Sequence, residues 1–464
     1  MGINIVNREP ISSKSRDLER LLTDLQGNIL RSHGREHVIL LIIKFTCAEQ
    51  DARNWARAFG GWVTSALKQS EQARDWLSRK QESLFASLLL TRSGYEYLGV
   101  NDDAKIPNDP KFRSGMAKSQ KLLMDSPQVE WDKPYNDSIH AMAVLASGDV
   151  NILAENVRTV QASLESIATV TRQDGGAQRE KTKSEGVSRY VEHFNYLEGR
   201  SQPLFFIEDI EDEIDGVTEW DPFAPLSLAL VKDPNGGENS FGSYLVYRKL
   251  EQRVRTFKAR ERKAESNPPS VSDELGLVNR DRQRVGAMVV GRFENGTPLA
   301  ISKTDNLRSA PNNFNYEDDP DGTKCPLFAH IRKVNPRTEA SKNHRIVRRG
   351  IPYADVLLPM SPGDKLFNNN LNKMTENGVG LLFMCFQASI ENQFEHIQRL
   401  INDPNEPTSG AGIDGLVGQG DHTHAWPLAW GEDKTKAASF GSFVKLKGGE
   451  YFFAPCISFF DRLV

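Results

Sequence analysis

His330 sits in the segment CPLFAHIRKVNPR, between the apolar Leu327 and Phe328 and the basic Arg332, Lys333 and Arg337. An axial ligand to haem iron must be a neutral imidazole that offers a lone pair rather than a proton, and apolar neighbours favour that form. Arg348 and Arg349 follow in HRIVRRGIPY, where planar guanidinium groups can reach haem propionates or a bound oxidant. Upstream, Glu198 lies in VEHFNYLEGRSQPLFF, at a glycine turn after an aromatic run. A carboxylate partly desolvated there has its pKa raised toward the range useful for proton transfer. Each residue alone also reads as something plainer, a half-buried histidine in a basic loop or a surface turn glutamate. Together they supply an axial ligand, a cationic stabiliser and an acid–base group.

The elements that must position them follow from periodicity. Glu36 to Cys47 is β-branched and apolar, the pattern of a strand buried on both faces. Asp51 to Lys80 has helical apolar spacing with a kink at Gly60–Gly61, and Ser83 to Leu90 is a strand. A helix runs from Asp109-Pro110 to about Met124, Ala141 to Ala146 is a strand, and Asp149 caps a helix reaching Ile167. The second half repeats the scheme. Gly242 to Leu250 is a strand leading into a charged helix, Glu251 to Glu265. Gly378 to Ala388 is a very apolar strand before a helix from Ser389 to Ile401, and Glu450 to Ala454 is a closing strand. The order predicts two α+β halves, residues 1–215 and 216–464, each an antiparallel sheet with helices on one face.

Composition narrows the function classes. With 58 basic and 62 acidic residues the net charge is −4, which is no footprint of a nucleic-acid binder. No apolar run approaches the roughly 18–20 residues that span a membrane. The N-terminus lacks a secretory profile, and Val6 stands where a myristoylation signal needs Ser or Thr. Cys47, Cys325, Cys385 and Cys456 form no C-x-x-C pair, so zinc and covalent haem attachment are not indicated. Cys47, Cys385 and Cys456 read as buried free thiols, which makes the cytoplasm the default compartment. The acidic run Glu208 to Asp215 lacks EF-hand spacing and reads as a solvated face. Asn306 to Thr323 reads as a surface excursion, with a lid as the alternative. Gly410 to Gly420 has no G-K-[ST], hence no P-loop. His422 and His424 form an H-x-H pair with no third metal ligand signalled.

Several segments, in chain order, carry a resemblance to a known family. They are DLQGNILRSHG (Asp24–Gly34), EHFNYLEGRSQP (Glu192–Pro203), GSYLVYRKLEQ (Gly242–Gln252), CPLFAHIRKVNPR (Cys325–Arg337), HRIVRRGIPY (His344–Tyr353), GLLFMCFQASIENQFEHIQ (Gly380–Gln398) and GGEYFFAP (Gly448–Pro455). The chain resembles the dye-decolorizing peroxidases, in their longer, elaborated subgroup. The resemblance implies paired ferredoxin-like domains, with one haem b per chain held mainly by the C-terminal one. It implies that His330 is the proximal iron ligand, Arg348 the distal arginine, and Leu381 and Phe383 the apolar lining of the distal pocket. A carboxylate partner for His330 is also implied, with Glu391 and Glu395 as candidates, and Arg332 and Arg337 can be propionate partners or surface charges. One departure stands out. The family's G-x-x-D-G is here Asn195-Tyr196-Leu197-Glu198-Gly199, so Glu198 replaces the distal aspartate. Asn tolerates positive φ best among non-glycine residues, so the turn is expected to survive.

The implied activity is reduction of hydrogen peroxide with oxidation of bulky dye-like or phenolic reductants, through an oxo-ferryl species. Electron transfer from a surface Trp or Tyr is common in the family, and seven tryptophans and ten tyrosines are available, Trp426 and Trp430 among them. The implied partners are peroxide and an organic reductant, with no nucleic acid or membrane, and self-association left open. The alternative is a haem carrier, sensor or iron-releasing protein with little turnover.

Overall fold

The computed structural model describes residues 3–463 except 8, 181–188, 199–200, 214–219, 221, 263–268, 278–282, 308–309 and 357–370. The expected boundary at 215, the end of the acidic run and the end of the charged helix at Glu265 lie outside the described residues.

Four strands form the first half: β1 (His37–Phe45), β2 (Phe85–Leu90), β3 (Ala141–Ser147) and β4 (Ala168–Gly176). The second half contributes β5 (Phe241–Gln252), β6 (Val347–Arg348), β7 (Ile351–Ala354), β8 (Val379–Gln387) and β9 (Val444–Ala454). All lie in one ten-stranded antiparallel sheet, whose main path runs β7-β8-β5-β9-β2-β3-β1-β4. Setting aside the short β6, which pairs β8 off this path, the order within each half is second, third, first, fourth: β2-β3-β1-β4, then β7-β8-β5-β9. With helices between first and second and between third and fourth strands, this is the β-α-β-β-α-β ferredoxin-like pattern, twice. The two units meet where β9 pairs β2 at Phe453 and Leu90. At the far edges, Gln173 of β4 donates to the Asp355 carboxylate just past β7, at 3.0 Å.

Burial explains the strands. Seven of the nine residues of β1 are buried, as its β-branched run requires. Helices cover the sheet, but three differ from the sequence reading. The 51–80 region is two helices, α1 (Glu49–Gly60) and α2 (Ala66–Arg79), with Ser65 capping the second through the Lys68 N–H. At Gly60 a Cβ would lie 2.5 Å from Phe460, so glycine is needed there for close packing as well as for the break. The helix after Pro110 divides at Gly115, whose φ is +77°. The segment after β8 starts as a π-helix, Ile390–Glu395, before α5 (His396–Asn402); earlier helices that matter below are α3 (Val150–Leu164) and α4 (His330–Val334). Asp149 caps α3 as predicted, accepting from the Asn151 and Ile152 amides. The 306–323 region is only partly the expected surface excursion where described: Asn306, Glu317, Asp318, Pro320 and Asp321 are exposed, but Asn312, Phe314, Tyr316 and Asp319 are buried. Cys325, Cys385 and Cys456 are buried free thiols, whereas Cys47 is only half-buried. No described helix is long and apolar enough to cross a membrane.

Gln26 ties the two units. Its carboxamide donates to the carbonyls of Leu88 and Pro455, both at 2.9 Å, and accepts from Ser87 Oγ and the Leu88 N–H. It is fully buried, so Gln26→Leu strands several polar groups without water. A loss of about 2–4 kcal/mol is expected in urea denaturation, given about 1–3 kcal/mol per unsatisfied buried group. A midpoint equal to wild type would refute this.

Candidate active site

His330, Glu198, Arg348, Leu381 and Phe383 line one cavity of about 780 Å³, within the size range of small-molecule and cofactor sites. The sequence reading brought these five together, and so does the fold.

His330 opens α4 and is half-buried. Its Nδ1 lies 2.8 Å from Oδ2 of Asp414, which leaves Nε2 as the nitrogen available to a metal. Asp414 is fully buried, and its other oxygen accepts from the Leu416 and Val417 amides, both at 2.8 Å. Burial alone would raise its pKa, but His330 and those two amides outweigh it and hold the carboxyl below the usual range. The carboxylate partner is therefore Asp414, not Glu391 or Glu395. Glu395 is committed elsewhere: it accepts from the Tyr451 hydroxyl and pairs with Lys111, which Glu391 also approaches.

On another wall, β8 turns alternate side chains to opposite faces. Leu381 and Phe383 reach the cavity while Leu382, between them, joins the core. Beside β8, the short strand β6 presents Arg348, opposite Cys385 in register. The Arg348 N–H donates to Gln202 Oε1 at 3.2 Å. Withdrawal from water lowers the pKa of its guanidinium, and the nearby Glu198 opposes that shift. Arg349 is anchored instead, donating to the carbonyls of Asn28 at 2.6 Å and Ile29 at 3.0 Å.

Glu198 is held by a turn. Asn195 has φ +70°, as anticipated for an asparagine standing where glycine was expected. The Glu192 carboxylate accepts from the amides of Phe194 and Tyr196 at 2.8 and 2.9 Å, bracing that turn from within. The Glu198 N–H then donates to the Tyr190 carbonyl at 2.9 Å. Burial, reinforced by the charge of Glu192 and opposed by Arg348, pushes the Glu198 pKa up to about 8.

The basic run around His330 separates into distinct roles. Arg332 is buried against Asp319 at 2.7 Å and does not line the cavity, so it is neither a propionate partner nor a surface charge. Arg337 does line it, donating to the Asn312 side chain at 2.6 Å while its guanidinium stacks over Phe314. Arg292 and Arg345 add further guanidinium groups to the lining. A largely apolar chamber in which His330 offers its Nε2, rimmed by guanidinium groups, suits a flat apolar macrocycle bearing two carboxylates. His422 and His424 are buried with rings 6.2 Å apart, and among the described residues no third ligand joins them. Trp426 is fully buried and Trp430 partly so.

Sequence reasoning missed Asp414 and Glu192. A usable signal for Asp414 was a lone carboxylate in the glycine-rich Gly412-Ile413-Asp414-Gly415, where free amides can stabilise a buried anion.

Comparison with known proteins gives matches along the chain. Residues 49–179 match a family model described as the DyP dimeric alpha+beta barrel domain, and residues 283–410 match one described as Dyp-type peroxidase, C-terminal. The chain is 35% identical to the multifunctional dye peroxidase DyP2 of an Amycolatopsis species, over 96% of both proteins. The solved DyP-type peroxidase of an Anabaena species superposes with a TM-score of 0.88 at 37% identity, covering 98% of this chain and 97% of that one. A deferrochelatase of Yersinia pestis is 30% identical over 29% of this chain and 28% of its own length.

Proposed function

The chain belongs to the DyP-type peroxidase family and is a peroxidase, and from that premise we propose that it uses haem b, one per chain, to reduce hydrogen peroxide at the expense of bulky dye-like or phenolic reductants. The observation that carries this reading is the joint presence of His330, Arg348 and Glu198 on one cavity. The second ferredoxin-like unit, read as residues 216–464, supplies most of the haem-holding residues. His330 would hold the haem iron through Nε2, with Asp414 fixing the tautomer and making the ring a stronger donor. Arg292, Arg337 and Arg345 are suited to the propionates.

Haem, when bound, supplies the electron exchange with peroxide and with the reductant. The surrounding side chains do the rest. Glu198 stands where the family motif carries an aspartate. Directly or through a water, its carboxylate takes a proton from one peroxide oxygen and delivers it to the other, which departs as water. Arg348 stabilises the negative charge that develops on the departing oxygen. Leu381 and Phe383 keep bulk water from the reacting atoms.

The test is to reconstitute the protein with haemin and follow bleaching of a bulky dye with and without peroxide. Haem binding without peroxide-dependent oxidation would sink the peroxidase reading and favour a haem-carrying or iron-releasing role. Arg348→Leu removes one preorganised cation and is expected to slow the peroxide reaction by about 100- to 1,000-fold in stopped-flow mixing, the usual scale for such a stabiliser. An unchanged rate would remove Arg348 from the mechanism.

A further inference from the structure

Lys333 has no place in the chemistry described above, yet it is one of the most completely enclosed cations in the molecule. It lies on α4, one turn after His330, at 0% exposure. Its ammonium donates to three backbone carbonyls, those of Asp403 at 2.8 Å, Glu406 at 2.5 Å and Gly412 at 2.7 Å. All three belong to the loop between α5 and Asp414. An ammonium has three donors and no acceptor, so this cage uses its full capacity. The same loop is secured beyond the carbonyls: the Gly415 N–H donates to the Phe328 carbonyl at 3.0 Å. Gly412, with φ +79°, packs so closely on His424 that a Cβ there would lie 2.6 Å from the ring. His424 in turn stacks on Phe328 with ring centroids 4.2 Å apart.

The short helix α4 therefore grips one loop twice, through His330 to Asp414 and through Lys333 to the carbonyls that precede Asp414. We propose that Lys333 is a positioning residue for the proximal ligand: by clamping the 403–412 loop it sets the Asp414 carboxylate against His330 Nδ1. The proposal rests on the reading of His330 as the haem ligand. Its consequence is that Lys333 acts on the iron only through Asp414, which a residue serving stability alone would not do.

The measurement is the Fe(III)/Fe(II) midpoint potential of the haemin-reconstituted protein, with haemin affinity as a second readout. Lys333→Met is expected to move the potential to more positive values, in the direction of Asp414→Asn, because a less firmly hydrogen-bonded imidazole is a weaker donor. Haemin affinity is expected to fall about 10-fold, the lower end for loss of outer-shell support. In an Asp414→Asn background, Lys333→Met should shift the potential no further. A silent Lys333→Met, or a shift undiminished in the Asp414→Asn background, overturns the proposal. Should Lys333→Met not fold, Lys333→Gln keeps two N–H donors and carries the same cycle. His330→Ala separates the premise from the proposal: if that variant retains haem with an unchanged spectrum, the ligand assignment has failed rather than the clamp.

Discussion

Glu198→Gln is expected to slow the reaction of the haem-loaded protein with peroxide by about 100- to 10,000-fold, the span that a positioned acid–base group contributes. The amide keeps the size and loses the proton acceptor, so haem binding should survive while the peroxide step fails. The pH dependence adds a signature. Burial and the neighbouring Glu192 raise the Glu198 pKa to about 8 against Arg348's opposing charge, from an ordinary 4.5. Only the ionised carboxylate accepts a proton, so the wild-type rate should climb as pH rises toward 8 and level off above it. That limb should vanish in Glu198→Gln. Stability runs the other way. A raised carboxyl pKa means that ionisation costs folding free energy, and the cost grows as pH rises from 4.5 to 8. Haem-free Glu198→Gln should therefore resist urea better than wild type at pH 8 and match it at pH 4. A pH-independent difference would show that Glu198 is not desolvated as described. Glu198→Asp asks whether the turn is matched to the longer side chain. Drawing the oxygens back by roughly 1 Å is expected to cost on the order of 100-fold.

How much of this was legible in the sequence depends on how local the cause was. The most apolar strands were, unlike the more exposed β4 and the short β6 and β7, because the run of β1 and the alternation of Leu381 and Phe383 need no partner to be read. So was the turn at Asn195, because the φ preference of asparagine is its own. The helix breaks were legible only in part: the interruption at Gly60–Gly61 was expected as a kink, the one at Gly115 was not, and neither packing reason was. Gly60 matters because Phe460 comes to meet it, a contact from the other end of the chain. The partner of His330 was not legible either. Glu391 and Glu395 had the right chemistry in a helical segment, but Asp414 is selected by two amides and a loop that only the fold delivers. The basic run misled in the same way. Arg332 and Arg337 read as propionate partners or surface charges and Lys333 only as part of a basic run, yet the fold gives each a different buried set of acceptors: the Asn312 region for Arg337, Asp319 for Arg332 and three loop carbonyls for Lys333. Residue type indicated the chemistry available at these positions, and long-range packing decided how it was used.

His330→Ala should abolish stable haem binding. With Nδ1 engaged by Asp414, Nε2 is the nitrogen left to the iron, and alanine removes both the donor and the reason for burying Asp414. The affinity for haemin is expected to drop by at least about 100-fold, since even outer-shell losses at metal sites cost roughly 10- to 100-fold. The damage should extend past the missing bond. Asp414 is fully buried, and its low pKa depends in part on His330. Without that partner its pKa should rise, and the haem-free variant should lose stability as pH increases through the new, higher value. Adding imidazole to His330→Ala tests the geometry. The vacated space lies between Asp414 and the cavity, so exogenous imidazole can bridge the two and restore a haem absorption band. Rescue in His330→Ala, together with weaker rescue in His330→Ala/Asp414→Asn, would place both residues on the iron's side of the pocket. Full haem retention without imidazole would instead move the ligand elsewhere, and with it the division of the cavity into a ligand wall at His330 and a peroxide wall at Glu198 and Arg348.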